Sequence, residues 1–93
     1  YAVMKKNGDG DKGLWITEWG YSNSKGEEPA RKLKEVMAKL LSPEYSYVTL
    51  CNYLCITDLP IPNTEEYGLF DRDLKPRPIA EAFREMATGC LRQ

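Results

Sequence analysis

The order of periodicities limits this chain most: a β-prone run, an amphipathic helical stretch, then a second β-prone run. The first run, Leu14 to about Trp19, leads into a loop over Tyr21 to Gly26 that is rich in Ser, Asn and Gly. From about Glu27 to Leu41, the residues Ala30, Leu33, Val36, Met37, Leu40 and Leu41 recur at helical spacing, which predicts a helix with one apolar packing stripe. Glu27 and Glu28 suit its positive N-terminal end, Pro29 is tolerated in the first turn, and Ser42-Pro43 closes it. The second run, about Tyr47 to Leu54, is apolar along most of its length, as a strand covered on both faces would be. Two strands joined through a helix pair in parallel by a right-handed crossover, so the expected class is α/β.

The flanks fit the same scheme. Tyr1 to Gly8 reads as a helix end, with Lys5 and Lys6 where the helix dipole favours cations and Asn7-Gly8 as a stop. The stretch from about Cys55 to Arg77 is too long for a simple connection, and ordered loops of that length are usually functional. A last helix is expected from Pro78, burying Ile79, Ala82, Phe83 and Met86 and stopping at Gly89. No linker or low-complexity tract divides residues 1–93, which read as a single domain.

Chemistry concentrates at Glu18, which ends the first apolar run. Alternation puts Leu14, Ile16 and Glu18 on one face and Trp15, Thr17 and Trp19 on the other, where the two tryptophans should pack against helices. The chain has no histidine, which excludes His-dependent triads and the common His-containing zinc sites, so any catalysis rests on carboxylates. Neither a metal nor a cofactor is expected. A net charge of −1 provides no basic excess for nucleic acid or anionic lipid, and no apolar run approaches the roughly 20 residues that span a bilayer. Neither partner is expected, and the compartment stays open. Three cysteines do not make a closed disulfide framework. Four residues of strand rise, about 13 Å, separate Cys51 from Cys55, too far for a bridge, so both are expected as buried thiols.

Trp15-Ile-Thr-Glu-Trp-Gly20, the Asn52-Tyr53 strand end with Asp58, and Glu66-Tyr-Gly-Leu-Phe-Asp-Arg-Asp-Leu-Lys-Pro-Arg-Pro-Ile-Ala-Glu-Ala-Phe83 follow in that order. Together they resemble the C-terminal part of clan A glycoside hydrolases, nearest to the cellulase-like and β-xylosidase-like branches. The resemblance implies a partial TIM (β/α)8 barrel, namely strands seven and eight with their helices. Residues 1–93 are then one partial domain, the C-terminal quarter of a barrel that takes about 250 residues when complete. It implies a retaining O-glycoside hydrolase acting on an oligo- or polysaccharide, with Glu18 as the catalytic nucleophile. The clan's acid/base carboxylate follows Asn at the end of strand four, and no Asn-Glu pair occurs here. That residue would lie in the remainder of the barrel, and the isolated piece should be inactive. Asp58, Glu65, Glu66, Asp71 and Asp73 are the carboxylates that could stand in, although loop acids are usually just solvated, and Asp71-Arg72-Asp73 reads as a turn. Tyr53 is the expected sugar-stacking platform, with Tyr21 and Tyr67 behind it, and Asn52 and Asp58 are expected at the substrate-binding rim.

Two other readings compete. Asn7 to Glu18 matches an EF-hand calcium loop at several ligand positions, but Lys12 stands where the sharp turn wants Gly, and Trp19-Gly20 starts a helix poorly. Alternatively the chain is a non-catalytic quarter barrel that associates with other copies of itself, because two strands leave both sheet edges unpaired.

Overall fold

The computed structural model describes residues 1–61 and 66–91. Five main elements follow in order: α1 (Ala2–Lys6), β1 (Leu14–Trp19), α2 (Glu28–Leu40), β2 (Val48–Tyr53) and α3 (Pro78–Leu91). Single 3-10 turns at Asn23–Lys25 and Pro43–Tyr45 lead into α2 and β2. The class is mixed α/β: β1 and β2 form a two-stranded parallel sheet joined through α2. The strand and helix starts fall within two residues of their expected places.

The helical stripes explain the core. Leu33 of α2 meets Ile79 and Ala82 of α3, and these three form the buried apolar cluster. Ala30, Met37, Phe83 and Met86 pack around them, and the sheet contributes Trp19 and Tyr53. Both contributing strand residues sit at the C-terminal ends of β1 and β2. Lower down, sheet and helices separate around an open groove of about 430 Å³, lined by Met37, Leu40, Leu50 and Phe83 among others.

That one-ended contact overturns three expectations. Trp15 is 67% exposed rather than packed against helices, and it is exposed together with Thr17 and Glu18, whereas Leu14, Ile16 and Trp19 are half-buried. The second strand is not covered on both faces: Thr49 to Asn52 are exposed, Leu50 at 38%. Cys51 is exposed and Cys55 half-buried, so neither thiol is fully buried. In addition, α3 runs on to Leu91 through Gly89, which has open space around it. A glycine in a helix costs only about 1 kcal/mol relative to Ala and does not force a stop.

The molecule is a slab, 46 × 31 × 19 Å. Its radius of gyration is 15.2 Å, against about 12 Å for a compact domain of this length. Its accessible surface is 6856 Å², against about 5,500 Å² for a compact monomer of this mass.

Candidate functional site

The strands' C-terminal rim is built on a knot of aromatic side chains. Trp19 meets Tyr53 edge-on at 5.4 Å between ring centroids and Tyr21 at 5.9 Å. The Leu54 N–H donates to the Trp19 carbonyl at 2.8 Å, carrying the ladder one step past the strands. Gly20 follows because a Cβ there would lie 2.5 Å from the Leu54 carbonyl oxygen.

Below that knot the ladder is irregular. Ile16 pairs with Cys51 and Trp19 with Tyr53, so Thr17 and Glu18 together face the single residue Asn52. Such a bulge re-aims side chains and recurs beside active sites. Cys51, before Asn52, has the Trp19 indole beside it, and burial pushes its thiol up. Tyr53, after Asn52, packs on Trp19. Asn52 therefore points away from Trp19. Glu18 and Asn52 are both exposed, adjacent across the ladder on the uncovered side.

A second constellation holds the loop that follows β2. Arg77 grips Asp58 with both guanidinium nitrogens, Nη1 to Oδ1 at 2.7 Å and Nη2 to Oδ2 at 2.6 Å. The Gly68 N–H donates to the same Oδ1 at 2.9 Å. Arg77 Nη1 also donates to the carbonyls of Gly68 and Phe70. Asp58 is 8% exposed, yet the Arg77 hydrogen bonds outweigh its burial and hold its carboxyl below the usual range. The same pair raises Arg77 above its ordinary value. From the other side, Asn23 Nδ2 donates to the carbonyls of Glu66 at 2.7 Å and Gly68 at 3.1 Å. The Tyr53 hydroxyl joins the two constellations, accepting from the Tyr21 N–H at 3.5 Å and donating to the Tyr67 carbonyl at 3.4 Å.

The expected site residues thus divide into two groups. Glu18 and Asn52 stand together at the open rim. Tyr53, expected as a sugar platform, is half-buried between Trp19 and Phe83, and burial raises its hydroxyl pKa. Its ring is core, because it lies on the face that Trp19 and Phe83 cover. Tyr21 also packs edge-on against Trp19, with Lys32 Nζ 5.9 Å from its ring centroid. Asp58, expected at a substrate-facing rim, is instead turned into the Arg77 clasp. Glu65 lies outside the described residues. Asp71 does make the expected turn, accepting from the Asp73 and Lys75 N–H groups. Sequence reasoning did not find Arg77 and Asn23, whose partners lie 19 and 43 to 45 residues away with no local pattern to announce them.

The local geometry lends the competing calcium-loop reading no support. Asp9 Oδ1 accepts from Lys12 Nζ at 2.6 Å, and residues 14–19 are strand where an exiting helix would begin. Comparisons with protein families, curated proteins and solved structures found no match for this chain. Chemically, the rim offers one exposed carboxylate beside one amide. Such a pair can attack or orient an electrophile, but a double displacement needs a second carboxyl group.

Proposed function

We propose that this chain is the last quarter of an eight-stranded α/β barrel in a retaining glycoside hydrolase, with Glu18 as its nucleophile. One observation carries this reading: Glu18 is exposed one residue before the C-terminal end of a parallel strand, at the irregular step opposite Asn52. Barrel enzymes keep their reacting groups at the C-terminal ends of the strands, on the lumen side. In this role Glu18 attacks the anomeric carbon to form a glycosyl-enzyme, while Asn52 offers its amide to a sugar hydroxyl. A second carboxyl group about 5 to 5.5 Å away protonates the leaving oxygen and then activates water. It belongs to strand four, outside these residues. Tyr53, Tyr21 and the Asp58–Arg77 clasp hold the rim from behind rather than touching the sugar.

The 93-residue chain alone lacks that acid and should not turn over glycosides; general acid catalysis alone is typically worth on the order of 10²- to 10⁴-fold. The test begins with the coding sequence upstream of Tyr1. An open frame of roughly 200 residues carrying a β-run that ends in Asn-Glu is expected. The protein expressed from it should hydrolyse an aryl glycoside, and Glu18→Gln should abolish turnover without changing the circular dichroism. Full turnover in that variant, or a frame with no second carboxylate of this kind, removes the reading.

A further inference from the structure

We propose that Asn23 and Tyr53 are positioning residues for Glu18: they fix the backbone that leaves β1 onto the clasped segment that follows β2, and so set where the Glu18 carboxylate stands. This rests on the reading of Glu18 as nucleophile and adds to it the groups that aim it.

The immediate surroundings of Glu18 do little to aim it. Its side chain is exposed, so packing does not hold it. On its N-terminal side the ladder is irregular: after Ile16 and Cys51 the next pair is Trp19 and Tyr53, and no regular step fixes the backbone at Thr17 and Glu18. A bulge leaves its extra residue unpaired. The place of the carboxylate therefore depends on what holds the chain just beyond it.

Three ties do so, at every second residue. The Trp19 carbonyl accepts from the Leu54 N–H at 2.8 Å. The Tyr21 N–H donates to the Tyr53 hydroxyl at 3.5 Å. The Asn23 N–H donates to the Glu66 carbonyl at 2.8 Å, and Asn23 Nδ2 reaches the Glu66 and Gly68 carbonyls at 2.7 and 3.1 Å. All three run to β2 or to the loop that follows it.

A tie positions only if its far end is fixed. Gly68 is buried, its N–H donates to Asp58, and its carbonyl accepts from Arg77 at 2.9 Å as well as from Asn23. A Cβ there would lie 2.5 Å from the Asp58 nitrogen, so this close approach needs glycine. The Leu69 and Phe70 N–H groups donate to the Cys55 and Ile56 carbonyls at 3.0 and 2.9 Å, which returns the segment to the end of β2. The Asp58–Arg77 pair thus acts on Glu18 through Asn23. Misplacing a reacting group by about 1 Å, through a change far from the chemistry, can cost about 10²-fold in rate.

The test uses the full-length enzyme and the 2-deoxy-2-fluoroglycosyl fluoride of the sugar whose aryl glycoside it hydrolyses. A Glu18 oxygen attacks the anomeric carbon, the C–F bond breaks and fluoride leaves without needing a proton. The 2-fluorine then slows attack by water, so the label stays and its rate of formation reports the nucleophile rather than the acid. Asn23→Asp keeps the shape but loses the donor, and should slow labelling about 10- to 100-fold. Full labelling should still be reached, at an unchanged half-saturating concentration. Tyr53→Phe keeps the ring between Trp19 and Phe83, loses only the two long hydroxyl bonds, and should slow labelling less. Labelling of both variants at the parent rate overturns the proposal. So does incomplete labelling at the parent rate, which would mean that the substitutions only reduce the folded fraction. If Asn23→Asp does not fold, Tyr53→Phe decides. Mass spectrometry of the labelled parent separates the two failures: a label absent from Glu18 removes the catalytic reading and this proposal with it, whereas a labelled Glu18 with unslowed variants removes this proposal alone.

Discussion

Asp58 and Arg77 withdraw opposite charges from water into one bidentate pair, with side chains 6% and 15% exposed, so removing either strands the other. Arg77→Ala should cost about 3 to 5 kcal/mol in urea unfolding, the usual penalty for breaking a buried pair from one side. Arg77→Lys should recover only part of it, since one ammonium cannot make the fork and also reach the Gly68 and Phe70 carbonyls. The pH dependence follows from the lowered carboxyl of Asp58. Because the folded state holds the carboxylate more strongly than the unfolded state does, the stabilisation is complete above the unfolded pKa, near 3.9. It is lost as pH falls through the lower folded value. Unfolding free energies measured from neutral pH down to about pH 2 should show that loss, and Asp58→Asn should flatten it. Glu18 was legible in the sequence because a strand's position and its last charged residue are local facts. The clasp was not, because its partners meet only after a loop of no periodicity has closed.

At the level of elements, the two long helices bear most of the packing. Leu33 is fully buried against Ile79 and Ala82, so Leu33→Ala should lower the unfolding free energy by about 2 to 5 kcal/mol. The Lys34–Glu85 bridge also links α2 to α3, but both side chains are nearly half exposed and water and salt screen it. Lys34→Ala should change stability by less than about 1 kcal/mol in the same assay. Periodicity made α2, α3 and both strands readable, since each is defined by residues within a few turns of one another. It also announced which helical face would be buried. What it could not announce was the covering of the strands. Alternation predicted that Trp15, Thr17 and Trp19 share one face and Leu14, Ile16 and Glu18 the other, whereas Trp15, Thr17 and Glu18 are the exposed residues of β1 and Leu14, Ile16 and Trp19 the half-buried ones. Two residues of β1, Thr17 and Glu18, stand against the single Asn52, which puts Trp19 on the half-buried face and leaves Trp15 in water. The bulge opposite Asn52 escaped for a similar reason: register is a property of two strands together, and it brought Trp19 onto the face of Tyr53, whose ring is core rather than platform.

The whole molecule is thin, with more surface than its mass warrants and few residues sealed from solvent, so its stability should depend on what covers the sheet. If copies of the chain supply that cover, folding and association are linked, and mass action stabilises the folded form as concentration rises. The urea midpoint of the 93-residue chain should then move upward with protein concentration, while that of Trp15→Lys stays fixed. Tryptophan emission can follow both, since Trp15 is open to solvent in the single chain and Trp19 is partly buried. Iodide should quench Trp15 strongly in dilute monomer and weakly in the assembly, with Trp19 shielded throughout. A midpoint that does not depend on concentration, together with full quenching of Trp15 at every concentration, would mean that the bare face stays bare. Cover from a longer chain predicts shielding without that shift: an enzyme carrying the remaining strands should shield Trp15 at any dilution, because its cover is attached. The dependence of Trp15 quenching on dilution therefore separates cover held by association from cover held by the chain itself.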